Sequence, residues 1–169
     1  MRRFNLLSVD YEYSADNPEG YHRGRARVGE AIGSRRIGGT VYELPPGESA
    51  WPYHYELGDE EWLIVLDGRV AVRTPAGEEE LGEGDVVCFP EGPDGAHAMV
   101  NRGTETAHML MLSTRRAPAV SVYPDSDKVG VFTDDPGARV MVRRSSSVDY
   151  WDGESRRAGA QATAVSCSS

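Results

Sequence analysis

The sequence predicts an all-β sandwich or barrel. Apolar runs are short and recur at close intervals, Gly (19) and Pro (10) are frequent between them, and no segment carries a helical apolar stripe. A chain of 169 residues, 39% hydrophobic and 27% charged, fits one domain able to bury its own core.

Residues 1–36 are polar, with a turn at Asn17-Pro-Glu-Gly20 and one short edge strand at most, near Val9–Tyr13. Ile37–Leu44 reads as the first full strand, stopped by Pro45-Pro-Gly47. Glu61–Asp67 and Arg69–Arg73 read as a hairpin about Asp67-Gly68, a pair that tolerates positive φ. Pro75-Ala-Gly77 turns the chain into a strand near Glu79–Leu81, and Asp85–Phe89, Ala98–Asn101 and Ala107–Ser113 follow. Val120–Tyr123, Val129–Phe132 and Ala138–Val142 extend the sheet, and a small, polar tail from about Glu154 is expected to be disordered. The expected organisation is an N-terminal extension (1–36), a core barrel (37–114), strands completing or covering it (115–153) and the tail (154–169). Leu63-Ile-Val-Leu66 and Met109-Leu-Met-Leu112 are apolar on both faces, which calls for cover from an extension or a partner subunit.

The formal charge of −9 argues against nucleic acid as a partner, since phosphates demand surplus Lys and Arg. Between His54 and Asp94 twelve acidic side chains face two arginines, an acidic surface read chiefly as solubilising. The Arg pairs 35–36, 115–116, 143–144 and 156–157 are scattered and read as surface charge. Cys88 lies in an apolar run and Cys167 in the tail, so no disulfide is expected. The N-terminus lacks a signal-peptide apolar run, and no segment approaches the roughly 18 apolar residues of a membrane span. A cytoplasmic protein without membrane contact is the expectation.

Two of the four histidines sit in a two-part frame of fixed intervals, with two glutamates in its first part. It runs Gly47-x6-His54-x-Glu56-x4-Glu61-x6-Gly68, then Gly84-x5-Pro90-x-Gly92-x4-His97-x3-Asn101. In an extended strand His54 and Glu56 share a face, and Glu61 shares one with Leu63 and Val65. Imidazole and carboxylate donors brought together suit a divalent first-row ion: Mn, Fe, Ni, Co or Zn. Gly68 and Gly84 read as turn residues and Asn101 as a turn cap. His108 reads as a packed or surface histidine, His22 has no evident partner, and Met99, Met109 and Met111 read as core. Tyr53, Tyr55 and Trp62 read as packing residues, with Tyr55 a candidate for the cavity mouth.

This frame resembles the cupin family, whose motifs are approximately G-x5-H-x-H-x3,4-E-x6-G and G-x5-P-x-G-x2-H-x3-N. Glu56 stands where the second histidine is usual, and two extra residues separate Gly92 from His97. The stretches 52–56, 60–63, 89–97 and 123–129 resemble a bacterial cupin subgroup, in which the longer second motif and an Asp-Tyr-Trp-Asp-Gly segment (149–153 here) recur. The resemblance spans about residues 38–114. It implies a double-stranded β-helix of the jelly-roll type, frequent homodimers, a metal held by His54, Glu56, Glu61 and His97, and a small organic ligand or substrate, with no agreed activity. Two carboxylates neutralise a divalent ion, so its water would be less acidic than at a three-histidine site. Without metal the paired carboxylates repel, which makes Glu56 an alternative general base. Three functions stay open: a metal enzyme (isomerase, lyase or oxygenase), a non-catalytic ligand-binding or sensor module, and a metal-free dimerising scaffold. The absence of a helix-turn-helix pattern disfavours a transcription regulator.

Overall fold

The computed structural model describes residues 1–154, and the polar tail expected to be disordered, with Cys167, lies outside them apart from Glu154. Among the described residues thirteen strands and one short α-helix follow in chain order, with four single-turn 3-10 helices between the later strands and after the last. They are β1 (Glu12–Tyr13), β2 (Gly24–Ala26), α1 (Val28–Ile32), β3 (Ile37–Leu44), β4 (Tyr55–Leu57), β5 (Glu61–Asp67), β6 (Arg69–Thr74) and β7 (Gly77–Gly82). After these come β8 (Val86–Phe89), β9 (Ala98–Val100), β10 (Ala107–Thr114), β11 (Ala119–Tyr123), β12 (Lys128–Phe132) and β13 (Val140–Arg143). At five residues α1 is too short to show a helical stripe, which is why periodicity does not reveal it.

One layer is a six-stranded sheet in the order β1-β2-β3-β10-β5-β8. The other consists of β13-β12-β11-β4 and β7-β6-β9, stitched together by bridges between Ser49 and Val100 and between His54 and His97. Leu44, Leu63, Val65, Met109 and Met111 from the first layer meet Val70, Val72, Leu81 and Met99 from the second in one buried core. Alternation fixes which side chains face it: on β5, Leu63 and Val65 are buried while Trp62 is turned out.

The hairpin expected at Asp67-Gly68 does not form. Both edges of β5 are already occupied, by β10 and β8, so β6 pairs instead with β7 and β9 in the opposite layer. Gly68 (φ 77°) is the corner where the chain changes layers, and a Cβ there would lie 3.0 Å from the Ala107 backbone. The true hairpin is β6–β7, closed by Pro75-Ala76 between paired Thr74 and Gly77.

The N-terminal region supplies part of the cover expected for the sheet. β1 and β2 extend it beyond β3, Tyr11 packs on His108 (ring centroids 5.8 Å apart), and the Tyr13 hydroxyl donates to Glu43. Tyr150 and Trp151, in the C-terminal extension, do not add to this cover: they are 83% and 70% exposed. Asn101, fully buried, clamps a turn as expected, donating to the carbonyls of Leu44 and Glu105 and accepting from Gly103 N–H. No helix among the described residues is long and apolar enough to cross a membrane.

Candidate metal centre

His54 and His97 face each other across a two-hydrogen-bond bridge, with N–H to carbonyl distances of 3.1 and 2.8 Å. Each ring is tied at Nδ1 to the carbonyl two residues earlier: His54 to Pro52 (3.0 Å) and His97 to Gly95 (2.9 Å). A carbonyl only accepts, so each Nδ1 carries the proton and each Nε2 keeps its lone pair, the tautomer a metal ligand needs. The longer loop before His97 serves this tie. Gly95 lies so close to the Pro90 carbonyl that no side chain fits, which brings the Gly95 oxygen under the imidazole.

Aromatic rings hold both imidazoles in place. Phe89 stacks on His97 at 3.9 Å between centroids, Tyr123 stacks on His54 at 5.6 Å, and Trp51 meets both edge-on. Glu61, on the inward face of β5, brings Oε2 to 3.6 Å from His97 Nε2. One ligand atom from each of His54, Glu61 and His97 lies within 4.8 Å of the others. Glu56, on β4, stands next to this set but is not one of the three. Its Oε1 is 3.6 Å from His54 Nε2 and accepts a 2.6 Å hydrogen bond from the Ser121 hydroxyl on β11.

His97 Nε2, Glu61 Oε2 and Glu56 Oε2 are buried with no hydrogen-bond partner. Buried polar atoms are rarely left this way unless an ion or water completes them. Two imidazole lone pairs converging with carboxylate oxygen suit a divalent first-row ion, so the residues present fit one. Burial first, then the charges of Glu56 and Asp59, push the Glu61 carboxyl up to about 8. Burial first, then His54, push His97 down to about 3. Burial likewise lowers His54, and it raises Glu56 against the opposing Ser121 hydrogen bond.

A cavity of about 710 Å³ opens onto Glu56 and Glu61. Ser121 and Tyr123 of β11 line it, as do Arg35, Arg115, Arg116 and Arg139. Three of these arginines belong to pairs that are scattered in sequence and read there as surface charge. Tyr55, the candidate for the mouth, is not among the lining residues, and Tyr123 lines the cavity instead. Trp51, Phe89, Ser121 and Tyr123 were missed in the sequence, because single aromatic or hydroxyl residues carry no spacing mark. His108 lies apart from the cluster, between Glu43 and Asp67, and His22 stands beside Glu48.

Two β layers closed over a His–Glu–His cluster that could hold a metal define a β-barrel of jelly-roll form. Residues 40–113 match the family model described as the cupin domain, and a solved structure named as belonging to the cupin superfamily covers most of the chain. A protein from Acidithiobacillus ferrooxidans, named provisionally as a sugar phosphate isomerase, is 26% identical, with a TM-score of 0.75 over 85% of this chain and 91% of that one. A sugar phosphate isomerase from Silicibacter pomeroyi is 25% identical, with a TM-score of 0.74 over 89% of this chain and 98% of that one. The polyketide cyclase RemF from Streptomyces resistomycificus (24% identity, TM-score 0.58, covering 70% and 83%) shares the fold. No curated protein matches the sequence.

Proposed function

We propose that this cupin is a metal-dependent isomerase of a small hydroxylated carbonyl compound, with His54, Glu61 and His97 as metal ligands and Glu56 as the base beside them. The observation that carries the reading is the converging cluster whose imidazole Nε2 and carboxylate Oε2 atoms are buried and unpartnered. A bound divalent ion supplies Lewis acidity toward a carbonyl oxygen. Glu56, held by Ser121 and raised by burial, takes the proton from the hydroxyl-bearing carbon beside the carbonyl and returns it to the former carbonyl carbon, while the hydroxyl proton passes to the former carbonyl oxygen. Such a shift is redox-balanced within the substrate and needs no co-reactant. The two neighbours named as sugar phosphate isomerases support this choice over lyase or oxygenase chemistry.

The test is elemental analysis of protein purified without added metal, followed by a turnover screen over aldose and ketose phosphates with and without chelator. A stoichiometric first-row metal and chelator-sensitive isomerisation are expected. Metal with no turnover on any carbonyl substrate would leave a ligand-binding module, and a barrel that takes up no metal would leave a scaffold. The working unit we propose is a homodimer, supported by apolar side chains on the outer face of the six-stranded sheet.

A further inference from the structure

We propose that Arg35, Arg115, Arg116 and Arg139 form a phosphate subsite in the cavity that opens onto Glu56 and Glu61. The subsite would grip the terminal phosphoryl group of a substrate whose carbonyl end reaches the carboxylates. It rests on the reading of Glu56 and Glu61 as the reacting end.

The chain has 27 acidic against 18 basic residues. Arg27, Arg69, Arg73 and Arg102 are each ion-paired to a carboxylate, and the other described arginines are not. Among the described residues, none of the four cavity arginines makes an ion pair, although Asp59 and Asp134 also line the cavity. Asp59 is buried and already engaged. One of its oxygens accepts from the Thr114 hydroxyl (2.9 Å) and from the backbone N–H of Arg116 (3.2 Å). Arg115 N–H donates to the Arg36 carbonyl (2.9 Å), tying the segment after β10 to the loop that bears Arg35. These contacts fix the backbone and leave the guanidinium groups of Arg115 and Arg116 free. Arg139 arrives separately, from the link between β12 and β13, with only a long contact from Nε to the Thr133 carbonyl (3.4 Å).

Three chain segments therefore bring four arginines without an ion pair to one cavity, which Glu56, Asp59, Glu61 and Asp134 also line. Guanidinium forks match the oxygens of a phosphoryl group, and a cavity of about 710 Å³ is of the size that holds a small phosphorylated molecule. Several cations favour a dianion over a carboxylate, which carries a single charge.

The test titrates inorganic phosphate, a pentose 5-phosphate, the same pentose without phosphate and the corresponding sugar acid into the full chain, with metal content measured on each sample. Phosphate and the pentose phosphate should bind wild type. Arg116→Ala and Arg139→Ala should each weaken that binding roughly ten-fold or more, with a steep dependence on salt. Both side chains are exposed, so melting temperature and metal content should stay at wild-type values. Arg116→Lys should recover part of the loss. Absence of phosphate binding to wild type, equal binding of the sugar with and without phosphate, preference for the sugar acid, or unchanged affinity in the variants would each overturn the subsite. A metal-free protein that still binds phosphate through these arginines would sink the metal reading alone.

Discussion

At the scale of single residues, one hydrogen bond decides what each imidazole can do. His54 and His97 give their Nδ1 protons to backbone carbonyls, so the sequence spacing that marked them as ligands coincides with a tautomer that permits ligation. Glu56 is proposed as the base and not as a ligand. It sits beside His54 with one oxygen engaged by Ser121, and the cluster of three closes without it. Glu56→Gln is therefore expected to leave metal content and the metal-induced rise in melting temperature near wild type, while turnover falls about a hundredfold or more. A loss of metal affinity in the same variant would instead make Glu56 a fourth ligand. The convergence of His54, Glu61 and His97 was legible in the sequence because three intervals agree at once. Ser121 and the cavity arginines were not, since they reach the site from segments that no interval ties to the histidines.

At the scale of elements, strand existence was legible and strand partnership was not. β3 and β5 were readable to the residue, because apolar runs bounded by Pro, Gly or Asp mark strands well. The layer change at Gly68 was hidden because a local turn signal competes with edges filled from elsewhere, here by β8 and β10. The outer face of this same sheet keeps Ile37, Trp62 and Val86 at 54%, 45% and 53% exposure, with Leu112 between the first two in a shallow apolar pocket. Contiguous exposed apolar surface on a sheet points to association. Sedimentation at micromolar concentration is expected to give a dimer, and Trp62→Lys is expected to shift it to monomer without unfolding it. A wild-type monomer under those conditions would remove the case for the assembly.

For the whole molecule, the buried site sets how stability depends on pH. Unfolded, Glu61 and His97 titrate near their ordinary values of 4.5 and 6.5; folded, they titrate near 8 and 3. Stability rises with pH wherever the unfolded chain binds more protons, and falls where the folded chain does. His97 holds fewer protons when folded, so its contribution is full above 6.5 and is lost as pH drops toward 3. Glu61 holds more when folded, so its contribution is full below 4.5 and is lost as pH climbs toward 8, with the raised carboxyl of Glu56 acting in the same direction. The two slopes oppose each other between 4.5 and 6.5, which places the most stable range of the metal-free protein there. Above it only the carboxylate limb remains, and stability should decline toward pH 8. A divalent ion binds the deprotonated ligands, so its stabilising effect should grow over the same interval and move the optimum upward. Melting temperature measured across pH with chelator and with added metal tests both limbs. A chelated protein whose melting temperature holds level from pH 6.5 to 8.5 would contradict the buried, protonated Glu61 on which the alkaline limb depends.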